Sequence, residues 1–380
     1  MTSADVVVVG GGVIGASIAY HLSQRDAGKI VVLERDRIGT GSTGKNAGGI
    51  RLTFSTEVNV RLSQRALPRI EAFEAEMGID PQFHQVGYLY LITEERDVAP
   101  FERSLALWKR LGVPARKITA AEAQALFPEV RVDDVRFAIF CPKDGYADPH
   151  SLLQGYVSRA RERGVEFREG APARAIDVSG GKLQAVRAGD ERIVCETVIN
   201  AAGAWGKQVG AMVGLELPID PLRRHIFVTG PVEGFDREFP MTIEFASGLY
   251  FHRESGGVLL GMADHADPPR FDDSVNWDFL PTVVEHALAR LPALERATVK
   301  TGWAGFYEDT PDHHPILGRV DAVRGFVCAA GFSGHGLMHA PAAGEAIAQV
   351  VCGETPSVDI TPLRFERFAR GELVAEHNVI

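Results

Sequence analysis

Residues 5–34 constrain this chain more than any other stretch. Four consecutive valines, Val6, Val7, Val8 and Val9, run directly into Gly10-Gly11-Gly12-Val13-Ile14-Gly15. A short unbroken apolar run stopped by glycines is the pattern of a strand buried on both faces, as in a parallel sheet. The G-x-G-x-x-G spacing then meets three separate needs. Gly10 makes the tight turn, Gly12 lets a phosphate approach the backbone, and Gly15 lets a helix pack closely on the strand. A helix over 16–24 and a second apolar strand over 30–33 complete a βαβ unit, with Glu34 at its end, 22 positions after Gly12. Such a unit is expected to hold a dinucleotide, its phosphates at the helix N-terminus and its ribose hydroxyls on the Glu34 carboxylate.

The remaining pattern is mixed. Helical periodicity over 57–77 is followed by alternation over 86–93, which reads as an antiparallel strand outside the parallel unit. A helix over 148–163, with Pro149 near its start, leads to strands at 165–167 and 197–201. Short apolar and aromatic strands at 226–229, 249–251 and 258–261, separated by Pro, Gly and Asp clusters, read as an antiparallel sheet. A buried strand at 326–329, a glycine-rich turn at 331–336 and an apolar helix over 340–351 close the pattern. The fold class is therefore α/β, a Rossmann-type domain assembled from 1–84, 145–214 and 306–380, with an antiparallel-sheet substrate domain from 85–144 and 215–305.

Composition excludes several function classes. The net charge is −10, and the Lys and Arg residues are scattered, so no basic tract is available to follow a nucleic-acid backbone. No run approaches the about 20 apolar residues of a membrane-spanning helix. The residues upstream of the first strand carry no Lys or Arg, unlike a secretory signal. Cys141, Cys195, Cys328 and Cys352 are too far apart in sequence for a C-x-x-C pair, which fits a reducing cytoplasm. No His, Asp and Glu set has metal-ligand spacing, so no metal is expected.

The first glycine motif does not choose between NAD and FAD. Two later segments bear on the choice. Val198-Ile199-Asn200-Ala201-Ala202-Gly203-Ala204-Trp205 ends a strand in small residues, as a second backbone approach to the dinucleotide requires. Gly331-Phe332-Ser333-Gly334-His335-Gly336-Leu337-Met338 puts a turn before a helix whose N-terminus suits a site of developing negative charge.

In their order, these segments together with Glu34-Arg35 and Gly41-Ser42-Thr43 resemble the D-amino-acid-oxidase-like FAD oxidoreductases over nearly the whole chain. Gly87-Tyr88-Leu89, Ala147-Asp148-Pro149, Thr310-Pro311-Asp312, Arg364-Phe365-Glu366-Arg367 and Gly371-Glu372-Leu373 are similar to the branch of monomeric sarcosine oxidase, dimethylglycine dehydrogenase and the β-subunit of heteromeric L-proline dehydrogenases. The resemblance implies FAD held by Gly10, Gly12, Val13, Ile14, Gly15, Glu34, Arg35, Ser42, Thr43, Lys45, Asn46, Gly48, Gly49, Ala173, Ala202, Gly203, Trp205, Gly305, Gly331, Gly334, Gly336, Leu337 and Met338. It implies oxidation of the C–N bond of a small secondary amine or amino acid, proline-, hydroxyproline- or sarcosine-like, to an imine. Electrons pass to oxygen or another acceptor, and a homo-oligomer or a partner subunit is compatible with the chain.

Arg51 is the expected anchor for a substrate carboxylate, with His335 and Tyr250 as further catalytic candidates. Sarcosine oxidase pairs the equivalent arginine with a lysine where this chain has Met338. The cysteine that holds its flavin covalently is replaced by Gly305, and no histidine stands near 43–48, so FAD is expected to be non-covalent. The oxygen-activating lysine falls near His265, which favours a dehydrogenase. Tyr307 is a pocket candidate, whereas His313-His314 reads as a turn and Arg223, Arg224 and His225 as a solvated strand end. The alternatives are a peroxide-producing oxidase of glycine, a D-amino acid or sarcosine, a flavin-binding subunit without turnover, and, more distantly, an NAD dehydrogenase.

Overall fold

A computed structural model describes residues 2–379. The four valines form strand Val6–Val9, every residue of it buried. It lies at the centre of a six-stranded sheet in the order Ile316–Arg319, Phe326–Ala330, Thr197–Asn200, Val6–Val9, Ile30–Leu33, Glu166–Arg168. All neighbours are parallel except the first pair. The parallel strands come from the beginning, middle and end of the chain, as the discontinuous nucleotide-binding pattern requires.

Helix Val13–Ser23 begins three residues earlier than the periodicity suggested, because the last three residues of the glycine motif already belong to it. A Cβ on Gly15 would lie 2.0 Å from the Gly10 carbonyl oxygen, and one on Gly10 would lie 2.2 Å from that of Ala201. Helix and strands thus approach to backbone contact. Helix Gly336–Val351 crosses the first helix just as closely. Gly344 there leaves no room for a Cβ above Ser17, and the Ser17 hydroxyl donates to the Ala340 carbonyl at 2.7 Å.

The second large sheet has eight strands, in the order Val299–Asp309, Asp220–Thr229, Gly257–Ala263, Leu249–Glu254, Met241–Glu244, Tyr88–Ile92, Phe137–Cys141, Arg116–Ile118. It is antiparallel at every pairing but one. Tyr88–Ile92 runs parallel to Met241–Glu244, since these two come from separate stretches of chain joined by no hairpin. The same regions carry helices Glu95–Leu111, Ala120–Leu126 and Leu280–Arg290, which pack on a sheet that the sequence pattern had shown only as strands. The helical stretch 57–77 divides at Ala72 into Glu57–Glu71 and Phe73–Met77. A small four-stranded sheet, Thr2–Ser3, Glu191–Val194, Lys182–Ala188 and Ala173–Ser179, lies beside the parallel one. Its strands are half exposed and rich in charge, so periodicity alone did not mark them.

The large sheet stands over the carboxyl ends of the parallel strands. The edge where the two meet is where an open α/β sheet binds ligands.

Candidate active site

Two adjoining cavities open at that edge. The larger, about 1200 Å³, runs over the first glycine motif; the smaller, about 120 Å³, lies under the eight-stranded sheet. They share Val13, Ile14, Ser42, Thr43, Lys45, Phe306 and Glu308 as a common wall.

The larger cavity is built as a dinucleotide cradle. Gly10, Gly12, Glu34, Arg35, Ala173, Ala202, Gly203 and Trp205 line it. Glu34 accepts from the Gly11 N–H at 2.8 Å and the Asp36 N–H at 2.9 Å, which fixes its carboxylate at the end of the second strand. Gly12, at the helix N-cap, supplies no capping side chain. The Val13 N–H is met by the Thr43 hydroxyl at 3.0 Å, leaving the remainder of that N-terminus to a ligand. Arg35 lies 4.0 Å above the Trp205 ring, and Phe271 stacks against Trp205 at 5.3 Å. Phe271 and Asp273, from the loop after Gly257–Ala263, also line the cavity, and Asp273 pairs with Lys45 across its mouth. Neither loop residue carried a sequence signal.

Three of the expected binding residues, Gly15, Gly48 and Gly331, are absent from the walls of both cavities. They act on the backbone instead. Gly48 has φ +77° and would place a Cβ 2.2 Å from the Ala147 carbonyl oxygen, while Gly331 at φ +79° would meet Thr310. Asn46 ties this segment together, donating to the Thr43 carbonyl at 2.6 Å and accepting from the Gly48 N–H at 2.7 Å.

The smaller cavity gathers Asn46, Gly49, Arg51, Arg224, Tyr250, Gly305, Tyr307, Gly334, His335, Gly336, Leu337 and Met338. Gly334 and Gly261 make space for aromatic rings. A Cβ on the first would lie 2.4 Å from the Tyr307 ring and on the second 2.0 Å from that of Tyr250. His335 is buried, and its Nε2 faces Arg51 Nη2 at 3.3 Å. Burial first, and the Arg51 charge second, hold its pKa well below the ordinary histidine value. The ring is therefore neutral. Its Nε2 accepts from Arg51, the proton is placed on Nδ1, and that atom has no protein partner. A buried N–H at the N-terminus of helix Gly336–Val351 is a donor that an acceptor atom of a ligand would satisfy.

Arg51 is in the pocket wall, but its guanidinium is heavily engaged. Nη1 donates to the Tyr90 hydroxyl at 3.0 Å and the Thr53 carbonyl at 3.3 Å. Nη2 meets His335 and the Asn378 carbonyl, and the group lies 4.1 Å over the Phe54 ring. Its support runs to the far end of the chain. Glu376, buried, accepts from the Ser55 and Thr56 N–H groups, the Thr56 hydroxyl and Asn59, so the C-terminal segment caps helix Glu57–Glu71.

Arg223, Arg224 and His225 do not form a solvated strand end. Within strand Asp220–Thr229 the side chains alternate between faces. Arg223 is buried against Asp267 at 2.6 Å and Asp272 at 3.0 Å, and His225 is buried and accepts from the Asn276 N–H. Arg224 points the other way, into the small cavity, 4.9 Å over Tyr307. Glu308, which the sequence did not single out, lines both cavities. Burial pushes its carboxyl up to about 7, against the opposing pull of its own and the Phe332 N–H groups. Met338 lines the small cavity, and His265 is exposed and outside both walls.

None of the cysteines contributes to either wall among the described residues, and no metal-holding cluster occurs among them. Cys141, Cys195 and Cys328 are buried and Cys352 exposed, all unpaired. Burial raises the Cys195 thiol to about 12, so it is inert. No helix among the described residues is long and apolar enough to cross a membrane.

Fold and cavities define a dinucleotide-dependent oxidoreductase with a roofed ligand pocket. Residues 5–350 match the family model described as FAD dependent oxidoreductase, and the chain belongs to that family. It is 33% identical to the Bos taurus FAD-dependent oxidoreductase domain-containing protein 1, over 99% of this chain and 87% of that protein. It is 27% identical to the mitochondrial sarcosine dehydrogenase of Homo sapiens over 97% of this chain but 42% of the longer relative. Among solved structures, the L-proline dehydrogenase from P. horikoshii superposes with a TM-score of 0.92 at 31% identity, covering 98% of this chain and 100% of that one. FAD is accordingly the cofactor of this chain, and the larger cavity fits it in the physical respects above: a helix N-terminus whose N-cap glycine supplies no side chain, a fixed acidic residue and glycines at the points of close approach.

Proposed function

We propose that this chain oxidises the C–N bond of a small amino acid or secondary amine, proline-, hydroxyproline- or sarcosine-like, as a dehydrogenase holding FAD without a covalent bond. One observation carries this reading: a small, cationic, tyrosine-walled pocket shares a wall with the dinucleotide cavity at the N-terminus of helix Gly336–Val351. The named activities of the relatives, sarcosine and L-proline dehydrogenation, support the substrate class. The absence of cysteine from both walls, among the described residues, supports non-covalent attachment. The unpaired thiols suit a reducing cytoplasm.

When bound, FAD would supply the two-electron oxidising power, as acceptor of a hydride from a carbon bonded to the amine nitrogen. The chain's own groups set the conditions. Arg51 and Arg224 give the pocket positive charge, which draws in a carboxylate and disfavours a substrate ammonium. The amine is thereby held in the neutral form whose lone pair assists C–H cleavage. Neutral His335 presents its Nδ1–H as a donor rather than as a base. The N–H groups opening helix Gly336–Val351 favour negative charge that develops beside them. Tyr250 and Tyr307 shut out water, and the imine product hydrolyses or cyclises after release.

The test is anaerobic absorbance of the FAD-loaded chain against L-proline, hydroxyprolines, sarcosine, dimethylglycine, glycine and D-alanine, followed by admission of air. Bleaching by one of these amines with slow recovery in air is expected. Fast recovery with peroxide would make it an oxidase, and no bleaching by any of the set would refute the amine reading.

A further inference from the structure

We propose that Arg224, and not Arg51, grips the carboxylate of the substrate. The inference rests on the amino-acid reading above and assigns the site's anchor. It follows from where each guanidinium spends its donors. Four of the five N–H groups of Arg51 are directed at Thr53, Tyr90, His335 and Asn378. Offering a fork to a ligand would require it to break bonds that hold the C-terminal segment and the His335 ring. Arg224 makes one hydrogen bond to the protein, from Nη1 to the Arg223 carbonyl at 3.1 Å. Its Nε is buried with no partner, and no carboxylate pairs with it among the described residues. The neighbouring Arg223 shows the contrast, with two aspartates closed around it.

An Nε–H and the Nη2 group beside it form the side-on fork that fits a carboxylate with two parallel hydrogen bonds. That fork is the part of Arg224 left free. A partly desolvated cation without a counter-ion is costly, and the cost is relieved when an anion enters. Tyr307 beneath the guanidinium, itself packed on Gly334, limits where the head group can swing. Because Arg224 lies in the eight-stranded sheet, a carboxylate held there projects from the roof of the pocket, and the α-carbon is presented toward the cavity shared with the cofactor. The selected substrates are amines bearing a carboxylate.

The experiment uses the FAD-loaded chain and two readouts. The first is the dissociation constant of acetate, with acetamide as the neutral control, from the change in flavin absorbance. The second is anaerobic reduction by the substrate class above. Two charge-assisted bonds lost in Arg224→Gln should weaken acetate binding on the order of 100-fold, with acetamide unaffected. Arg224→Lys, keeping charge without the fork, should fall between. Arg51→Lys should lower the melting temperature with a much smaller effect on acetate. Equal acetate affinity in wild type and Arg224→Gln, or no acetate binding to wild type, overturns the assignment. Acetate binding that depends on Arg224 in a chain that no amino acid reduces would uphold the anchor while refuting the proposed reaction.

Discussion

Glu308→Gln should make the flavin-free protein more stable at pH 8 and change its stability far less at pH 5. Glu308 is 7% exposed and lines both cavities, and its carboxyl has its pKa raised from 4.5 to about 7, with burial as the leading cause. Between those two values the native state keeps a proton that the unfolded state has lost. Stability therefore falls as pH rises, by about 1.4 kcal/mol per pH unit. Integrated over the interval, the charge of Glu308 costs about 3 kcal/mol once pH exceeds the folded value. Glutamine has the same shape and no charge, so it avoids this loss. With an unfolding entropy of about 2 cal/mol/K per residue, a chain this long should gain about 4 °C in melting temperature at pH 8. Asp144 is also raised to about 7, so the wild-type profile alone would mix two groups. The difference between wild type and variant isolates one. Differential scanning calorimetry at pH 5, 6, 7 and 8 is the assay. A variant whose advantage is the same at every pH, or is largest at pH 5, would refute the assignment of the proton to Glu308.

Two further outcomes follow from positions already described. Gly15→Ala would force a Cβ to within 2.0 Å of the Gly10 carbonyl. Overpacking of about 1–3 kcal/mol, partly offset by about 1 kcal/mol of helix propensity, should appear as a tenfold or greater loss of FAD affinity in a fluorescence titration, about what a 1.4 kcal/mol displacement of the helix N-terminus produces. Unchanged affinity would show that the close approach is not needed. Glu376→Gln should destabilise by about 2 kcal/mol at pH 7. Burial pushes that carboxyl up, but hydrogen bonds from Ser55 and Thr56 and the charge of Arg51 bring it below the ordinary value. The sign is opposite to Glu308. Stabilisation is complete above the unfolded carboxylate pKa and fades as pH falls through the folded one, so the gap between variant and wild type in thermal melts should close in acid.

The parallel core was legible because its signals are local. Val6–Val9 is buried on both faces, and its glycine turn, helix and partner strand follow within one βαβ unit, so each residue type reports its own environment. The second sheet was less so. Tyr88–Ile92 finds partners 45 and more residues away in Phe137–Cys141 and Met241–Glu244, and direction in such a pairing depends on the path of the chain rather than on alternation. The four-stranded sheet beside the core escaped notice because its strands, such as Lys182–Ala188, carry exposed charges on one face and only a few buried residues on the other.

The site divides along the same line. Residues that work through close fit, Gly10, Gly15 and Gly334, declare themselves, since a Cβ at each would collide with its neighbours. Charged residues do not, because what an arginine can do depends on which of its donors are already taken. Arg51 looked like the free anchor and is met on both Nη atoms, one of them by Asn378, more than 300 positions along the chain. Arg223 and Arg224 are adjacent and of one type, yet the pleat sends one to Asp267 and Asp272 and the other to a cavity with no acid to meet it. Sequence presents the donors, but only the fold determines which remain unspent, and a ligand carboxylate is recognised by those.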